Sequence, residues 1–140
     1  MLTRRLLIAV APLLGFGIAH AAPEVESRTP RKITSADTYI PTATLSAAIT
    51  RDYRFAGLLV VDAGFDVPDA ALRARIERMR PRMTDALRTA LADYTQTRYH
   101  AGAAPDPVQI ATMLQQAANR TLGVKGAQLL LSNVMVQRGR

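Results

Sequence analysis

Residues 42–65 read TATLSAAITRDYRFAGLLVVDAGF, and this stretch decides the fold. Apolar side chains recur at alternate positions of its first half, at Leu45, Ala47 and Ile49. That period is typical of a strand with one buried face. The second half is a short, nearly continuous apolar run, which indicates a strand buried on both faces. Because the polar residues 51–54 between the halves have hairpin length, the sequence predicts two antiparallel strands.

After this hairpin the apolar spacing changes to gaps of three and four, the period of an amphipathic helix. Asp66 or Asp69 can cap the start of that helix. Pro81 falls inside the pattern, and because proline removes one backbone donor, the helix should kink or break there. The apolar pattern keeps its phase across Pro81, so we expect one long kinked helix rather than two unrelated helices. The apolar positions are Leu72, Ile76, Met79, Met83, Leu87, Ala90, Leu91 and Tyr94.

A loop over residues 99–106 separates this helix from a second one. Asp106 followed by Pro107 is a typical helix start, and Gly123 is a typical helix end. The apolar run within residues 128–137 then predicts a last strand. The order is β-β-α-α-β, an α+β domain in which a long kinked helix and a second helix pack on a small, largely antiparallel sheet.

The residue inventory argues against an enzyme or a metal protein. The 140 residues include no cysteine, which excludes thiolate metal sites, cysteine nucleophiles and disulfides. Outside the N-terminal segment the one histidine is His100, in the predicted loop, where a solvated side chain is the expected state. Asp62, Asp66 and Asp69 match a strand end and a helix cap better than a calcium loop. We therefore expect no catalytic residues, no metal and no cofactor.

Residues 1–21 have the features of an export signal. Arg4 and Arg5 precede an apolar run over residues 6–18, and Ala19 and Ala21 form a small-x-small cleavage site. A helix of that run would span about 20 Å, less than a bilayer core of roughly 30 Å. The sequence predicts cleavage after Ala21 and a periplasmic protein. The alternative is an uncleaved helix that anchors the chain in the inner membrane.

The paired arginines Arg4 and Arg5 favour the twin-arginine (Tat) route over the general secretory route. Residues 22–38 are rich in Pro, Ser, Thr and charge, which predicts a flexible linker before a domain over residues 39–137. Removal of residues 1–21 takes two arginines and no acids, so the net charge falls from +7 to +5. A basic domain of this kind favours acidic partners.

Six arginines follow the hairpin, at positions 73, 75, 78, 80, 82 and 88. On a helix, Arg75, Arg78 and Arg82 cluster on one flank at spacings of three and four. Two interpretations are open: a solvated helix face whose stems cover apolar edges, or a docking surface for anionic lipid or an acidic protein. A nucleic-acid partner is not expected, because the signal removes the domain from nucleic acid and stacking aromatics are missing.

Two motifs resemble the FliL family of flagellar basal-body-associated proteins. They are RPRMTDAL at residues 80–87, continuing to Leu91 and Thr95, and LSNVMVQ at residues 131–137. The resemblance covers residues 39–137 and implies structural roles for Pro81 and Asp85. It further implies a periplasmic domain similar to stomatin-type (SPFH) domains, which self-associates and docks on flagellar stator proteins. The resemblance therefore leads us to expect an exported scaffold or accessory protein.

Overall fold

The computed structural model describes Ser35 and residues 37–139. Seven elements follow along the chain: β1 (Tyr39–Pro41), β2 (Leu45–Arg51), β3 (Arg54–Asp66), α1 (Ala70–Arg78), α2 (Arg80–Thr97), α3 (Pro107–Leu122) and β4 (Gln128–Arg138). The predicted α+β class is confirmed, with strands first, then helices, then a final strand. Two features were not predicted, namely the short strand β1 and the division of the long helix into α1 and α2.

The sheet is antiparallel throughout and is organised around β3. β4 pairs with one edge of β3. At one end of this ladder Gly57 pairs with Arg138, and at the other end Asp66 pairs with Gln128. The other edge is shared end to end by β1 and β2, because β1 pairs with residues 64–66 and β2 with residues 54–61 of β3. The predicted pairing of β2 with β3 is therefore confirmed.

A two-residue turn joins β2 to β3. Asp52 and Tyr53 both adopt positive φ angles, 50° and 61°, while Arg51 and Arg54 pair on either side. Two successive left-handed residues are the geometry of the hairpin turns whose twist matches that of the flanking strands. Beyond the turn a bulge shifts the register between Ile49 and Thr50, after which Leu45, Ala47 and Ile49 pair with β3 on one buried face.

Local capping fixes the helix ends. The Asp69 carboxylate, rather than that of Asp66, caps α1 by accepting the Leu72 N–H at 2.7 Å. Asp106 caps α3 by accepting two backbone N–H groups, and Gly123 ends α3 in a left-handed conformation with φ 70°. Both ends of α3 match the predicted ones.

The break in the long helix lies at Met79, which has φ −98° and ψ 8°. Pro81 has no N–H to continue the hydrogen-bond ladder, so α1 ends and α2 begins around a single residue. The ladder resumes at once, since the Met83 N–H donates to the Met79 carbonyl at 2.9 Å. The apolar face therefore continues from α1 into α2, and Ile76 and Met83 are both buried.

The hydrophobic core lies between one face of the sheet and the helices. From β3 the side chains of Leu59, Val61 and Phe65 are fully buried in it. The helices contribute, among others, Leu87, Leu91, Ile110, Leu114 and Leu122. The sheet and the helices therefore share a single core.

The prediction that the second strand is buried on both faces is wrong for the middle of β3, although every residue from Ala63 to Asp66 at its end is buried. Leu58 and Val60 point to the opposite face, where they are only half-buried. Within the described residues no helix covers that face, and the half-burial comes from neighbouring strands such as β4, whose Met135 is 40% exposed. An apolar run in β3 therefore does not imply a layer on each side of the sheet.

The predicted export signal at residues 1–21, with Arg4, Arg5, Ala19 and Ala21, lies outside the described residues, as does most of the predicted linker. Within the described part of the chain, no helix is long and apolar enough to cross a membrane.

Candidate partner-binding surface

Arg75, Arg78 and Arg82 form an exposed basic strip along the outside of α1 and the start of α2. We call these three residues the arginine surface. None of the three forms an ion pair with any residue that the structure describes. They lie within eight consecutive residues, with the break at Met79 between Arg78 and Arg82.

The neighbouring Arg73 has a structural role. Its Nη1 donates to the carbonyl oxygens of Val67 and Pro68, at 2.7 and 2.8 Å. These carbonyls belong to the connection between β3 and α1, where neither strand nor helix supplies a donor. Helical spacing alone does not predict this role, because the carbonyl partners of Arg73 depend on the path of the chain before α1.

Arg80 is also used within the fold. Its Nη2 lies 2.6 Å from Oε1 of Glu77, and its Nη1 donates to the Pro41 carbonyl at 3.4 Å. Arg80 therefore links the junction of α1 and α2 to the end of β1. Among the six arginines, Arg88 is a further exposed residue on α2. Only the arginine surface combines clustering on one flank with free guanidinium groups in the described structure.

The resemblance assigns structural roles to two residues, and only one of them has a position that agrees with such a role. Pro81 lies in the first turn of α2, where a missing N–H is tolerated, so its position agrees with a structural role. Asp85 is exposed on α2, and its backbone carbonyl accepts from Thr89 Oγ1 at 3.0 Å. Its side chain makes no hydrogen bond to the described residues. The geometry therefore gives Asp85 no specific structural contact.

The arginine surface lies at one end of the sheet. β3 runs about 40 Å from Arg54 to Asp66, and α1 begins just after that second end. β1 pairs with the same end, through Tyr39 and Asp66. The described chain therefore enters the domain at the end that carries the arginine surface.

The carboxylates that could have formed a metal site are used separately. Asp62 accepts from Thr44 Oγ1 at 2.7 Å and from Asn133 Nδ2 at 3.3 Å, and Asp69 caps α1. Asp66 is buried at the end of β3, and its Oδ1 has no hydrogen-bond partner. Within residues 37–139 no group of three potential metal ligands comes together. His100 is exposed in its loop.

A second feature, which no sequence pattern predicts, lies at the opposite end of the sheet. A pocket of about 390 Å³ lies between the ends of β2 and β4 and the loop from α2 to α3. Its apolar lining includes Ile49, Val134 and Val136, and Arg51 and Arg138 also line it. We call it the sheet-end pocket. Its residues come from three distant parts of the chain, so no local motif marks it.

Comparison with known proteins adds no relative to this description. No protein-family model matches the chain, and no curated protein matches it either. The resemblance to the FliL family stays a prediction.

Proposed function

We propose that this chain is an exported, non-enzymatic accessory protein that binds an acidic partner protein through the arginine surface. The observation that supports this proposal most is the contrast among neighbouring arginines. Arg73 and Arg80 are held by carbonyls or a carboxylate of the fold. Arg75, Arg78 and Arg82 are exposed and free of ion pairs in the described structure.

The clustering itself favours an acidic partner. Like charges at spacings of three and four on a helix repel each other, at about 0.2–0.5 kcal/mol per pair. The domain is also basic overall, since the net charge without residues 1–21 is +5. A partner with carboxylates at similar spacing would relieve this repulsion and make charge-assisted, in part bidentate, hydrogen bonds with the guanidinium groups.

A scaffold protein also needs surfaces through which its copies can associate. Within the described structure, no strand pairs with the outer edge of β2 or with that of β4. Unpaired edges are surfaces on which another strand can add. Self-association of the kind implied by the FliL resemblance would use such edges, with the arginine surface left free for the acidic partner.

The test measures binding of a synthetic glutamate-rich peptide to the purified, naturally processed protein. The variant R75Q/R78Q/R82Q removes the arginine surface, and the matched control R54Q/R88Q/R98Q removes three exposed arginines elsewhere. We expect the first variant to lose about tenfold or more in affinity and the control to lose little. Binding should weaken as salt rises, because the contacts are exposed. Equal losses in both variants would show that only net charge matters and would overturn the proposal.

An anionic membrane surface is a second candidate, favoured by the position of the arginine surface. The described chain enters the domain through β1 at the end that carries the arginine surface. Near an anionic surface each Lys or Arg contributes about 1 kcal/mol. Vesicles of phosphatidylglycerol and phosphatidylcholine, with and without the acidic peptide, distinguish the two partners. Vesicle binding without peptide binding would favour lipid.

The flagellar part of the proposal rests on the family resemblance and has a separate test. Deletion of the gene should impair swimming if the protein acts at the flagellar motor, and unimpaired swimming would remove that role. The N-terminal residue of the protein recovered from cells tests the location. Ala22 would indicate a free periplasmic domain, whereas Met1 in the membrane fraction would indicate an anchored one.

A further inference from the structure

The sheet-end pocket has the size and the lining of a small-molecule site. Its volume of about 390 Å³ falls in the range of about 300–1,000 Å³ typical of ligand pockets. Ile49, which is buried, and the half-buried Val134 and Val136 form an apolar side on the sheet. Residues 101–103 of the loop face them with two alanines and a glycine. Such small side chains leave space beside an apolar surface.

The loop opposite the sheet is held in place by two tyrosines. The Tyr99 hydroxyl donates to the Ala103 carbonyl at 2.8 Å, and the Tyr94 hydroxyl accepts the Asp106 N–H at 2.9 Å. The two rings lie against each other, with centroids 6.2 Å apart. The Tyr94 contact ties the end of the loop to α2, and the Tyr99 contact closes the loop on itself, so contacts within the fold hold this wall of the pocket.

Two arginines give the pocket a positive charge. Arg51 ends β2 and Arg138 ends β4, and both line the pocket. Among the described residues, no carboxylate lines it. The ion pair of Arg51 with Asp52 is weak, because the charged atoms are 3.8 Å apart and the side chains are 72% and 91% exposed. Both guanidinium groups can therefore turn towards an anion in the pocket.

We propose that the sheet-end pocket binds a medium-chain fatty-acid anion. Its unbranched chain would lie between the valines of β4 and the alanines of the loop, where burial of each CH₂ contributes about 0.8 kcal/mol. Its carboxylate would lie between Arg51 and Arg138, where a guanidinium can bind it through two parallel hydrogen bonds. The pocket shares no lining residue with the arginine surface, so this site is independent of the proposed function.

The experiment titrates decanoate into the naturally processed protein, below the micelle concentration, by calorimetry. Acetate tests the carboxylate without the chain, and decylammonium tests the chain with the opposite charge. We expect decanoate to bind at one site and the other two to show no binding over the same range. Binding of decylammonium as tight as that of decanoate would overturn the proposal, because it would show apolar association without recognition of the anion.

Variants locate the site. R51Q/R138Q should weaken decanoate binding by at least about tenfold, because it removes both donors of charge-assisted hydrogen bonds to the carboxylate. R54Q is the matched control, since Arg54 lies in the same hairpin but does not line the pocket, and it should bind as the wild type does. A101L should fill the pocket and abolish binding. Unchanged affinity in R51Q/R138Q would overturn the proposal.

Amide chemical shifts provide a measurement that does not depend on any variant folding. Decanoate should shift the amide signals of Ala101, Val134 and Val136 in the wild-type protein. Shifts confined to the open face of the sheet, around Leu58 and Val60, would place the ligand on that exposed apolar surface and overturn the proposal.

Discussion

At the scale of single residues, Tyr53 adopts a left-handed backbone conformation that glycine adopts more readily. Its φ is 61°, and its side chain is fully exposed, at 106% of the reference area. The left-handed conformation costs a residue other than glycine about 1 kcal/mol, and no packing offsets that cost here. We expect Y53G to raise the free energy of unfolding by about 0.5–1 kcal/mol, as measured by urea denaturation.

The control for Tyr53 is Y53A, which removes the same exposed side chain but keeps a Cβ. Alanine retains the cost of the positive φ, so Y53A should leave the unfolding free energy close to that of the wild type or slightly lower. If Y53A stabilises as much as Y53G does, the gain comes from removing the exposed ring, and the conformational explanation is wrong.

At the scale of elements, a single glutamine joins α3 to β4. Gln115 donates through Nε2 to the Ala127 carbonyl at 2.8 Å and accepts the Leu129 N–H through Oε1 at 2.7 Å. The side chain therefore pairs with the start of β4 as a neighbouring strand would. Q115L should leave both backbone groups without partners and lower the free energy of unfolding by about 2 kcal/mol.

Hydrogen exchange tests the Gln115 contact directly. The amide of Leu129 should exchange slowly in the wild type and much faster in Q115L, while amides in the centre of β3 change less. Q116A is the matched control, because Gln116 is exposed on the same helix, and it should alter neither stability nor exchange. Slow exchange at Leu129 in Q115L would mean that another group protects that amide.

Most elements could be predicted because their signals are local. The alternation of Leu45, Ala47 and Ile49 predicted β2, and Asp106 with Pro107 predicted the start of α3. The rest depends on tertiary contacts. β1 has only three residues and exists because it pairs with the end of β3. The open face of the sheet could not be predicted either, since an apolar run does not say whether a second layer covers it.

At the scale of the whole molecule, the two candidate sites differ in how far the sequence could show them. The arginine surface was predicted, because Arg75, Arg78 and Arg82 follow helical spacing. The structural use of Arg73 was not, because its acceptors are carbonyls of the connection before α1. The sheet-end pocket joins the ends of two strands to a loop of small residues, and its position follows only from the strand register.

At the scale of the net positive charge, the salt dependence of stability should distinguish arginines that are free to bind a partner from arginines that stabilise the fold. The three charges of the arginine surface repel one another, so R75Q/R78Q/R82Q should leave stability unchanged or raise it by up to about 0.5 kcal/mol at low salt. Salt screens this repulsion over about 3 Å at 1 M, so the gain should disappear there.

R73Q should behave in the opposite way. It removes the donor to two carbonyls of the connection before α1, so we expect a loss of about 1–2 kcal/mol that persists at 1 M salt. Urea denaturation of both variants at low and high salt measures the contrast. A salt-resistant loss in R75Q/R78Q/R82Q would mean that the arginine surface supports the fold, and this would remove the main argument that it is free to bind a partner.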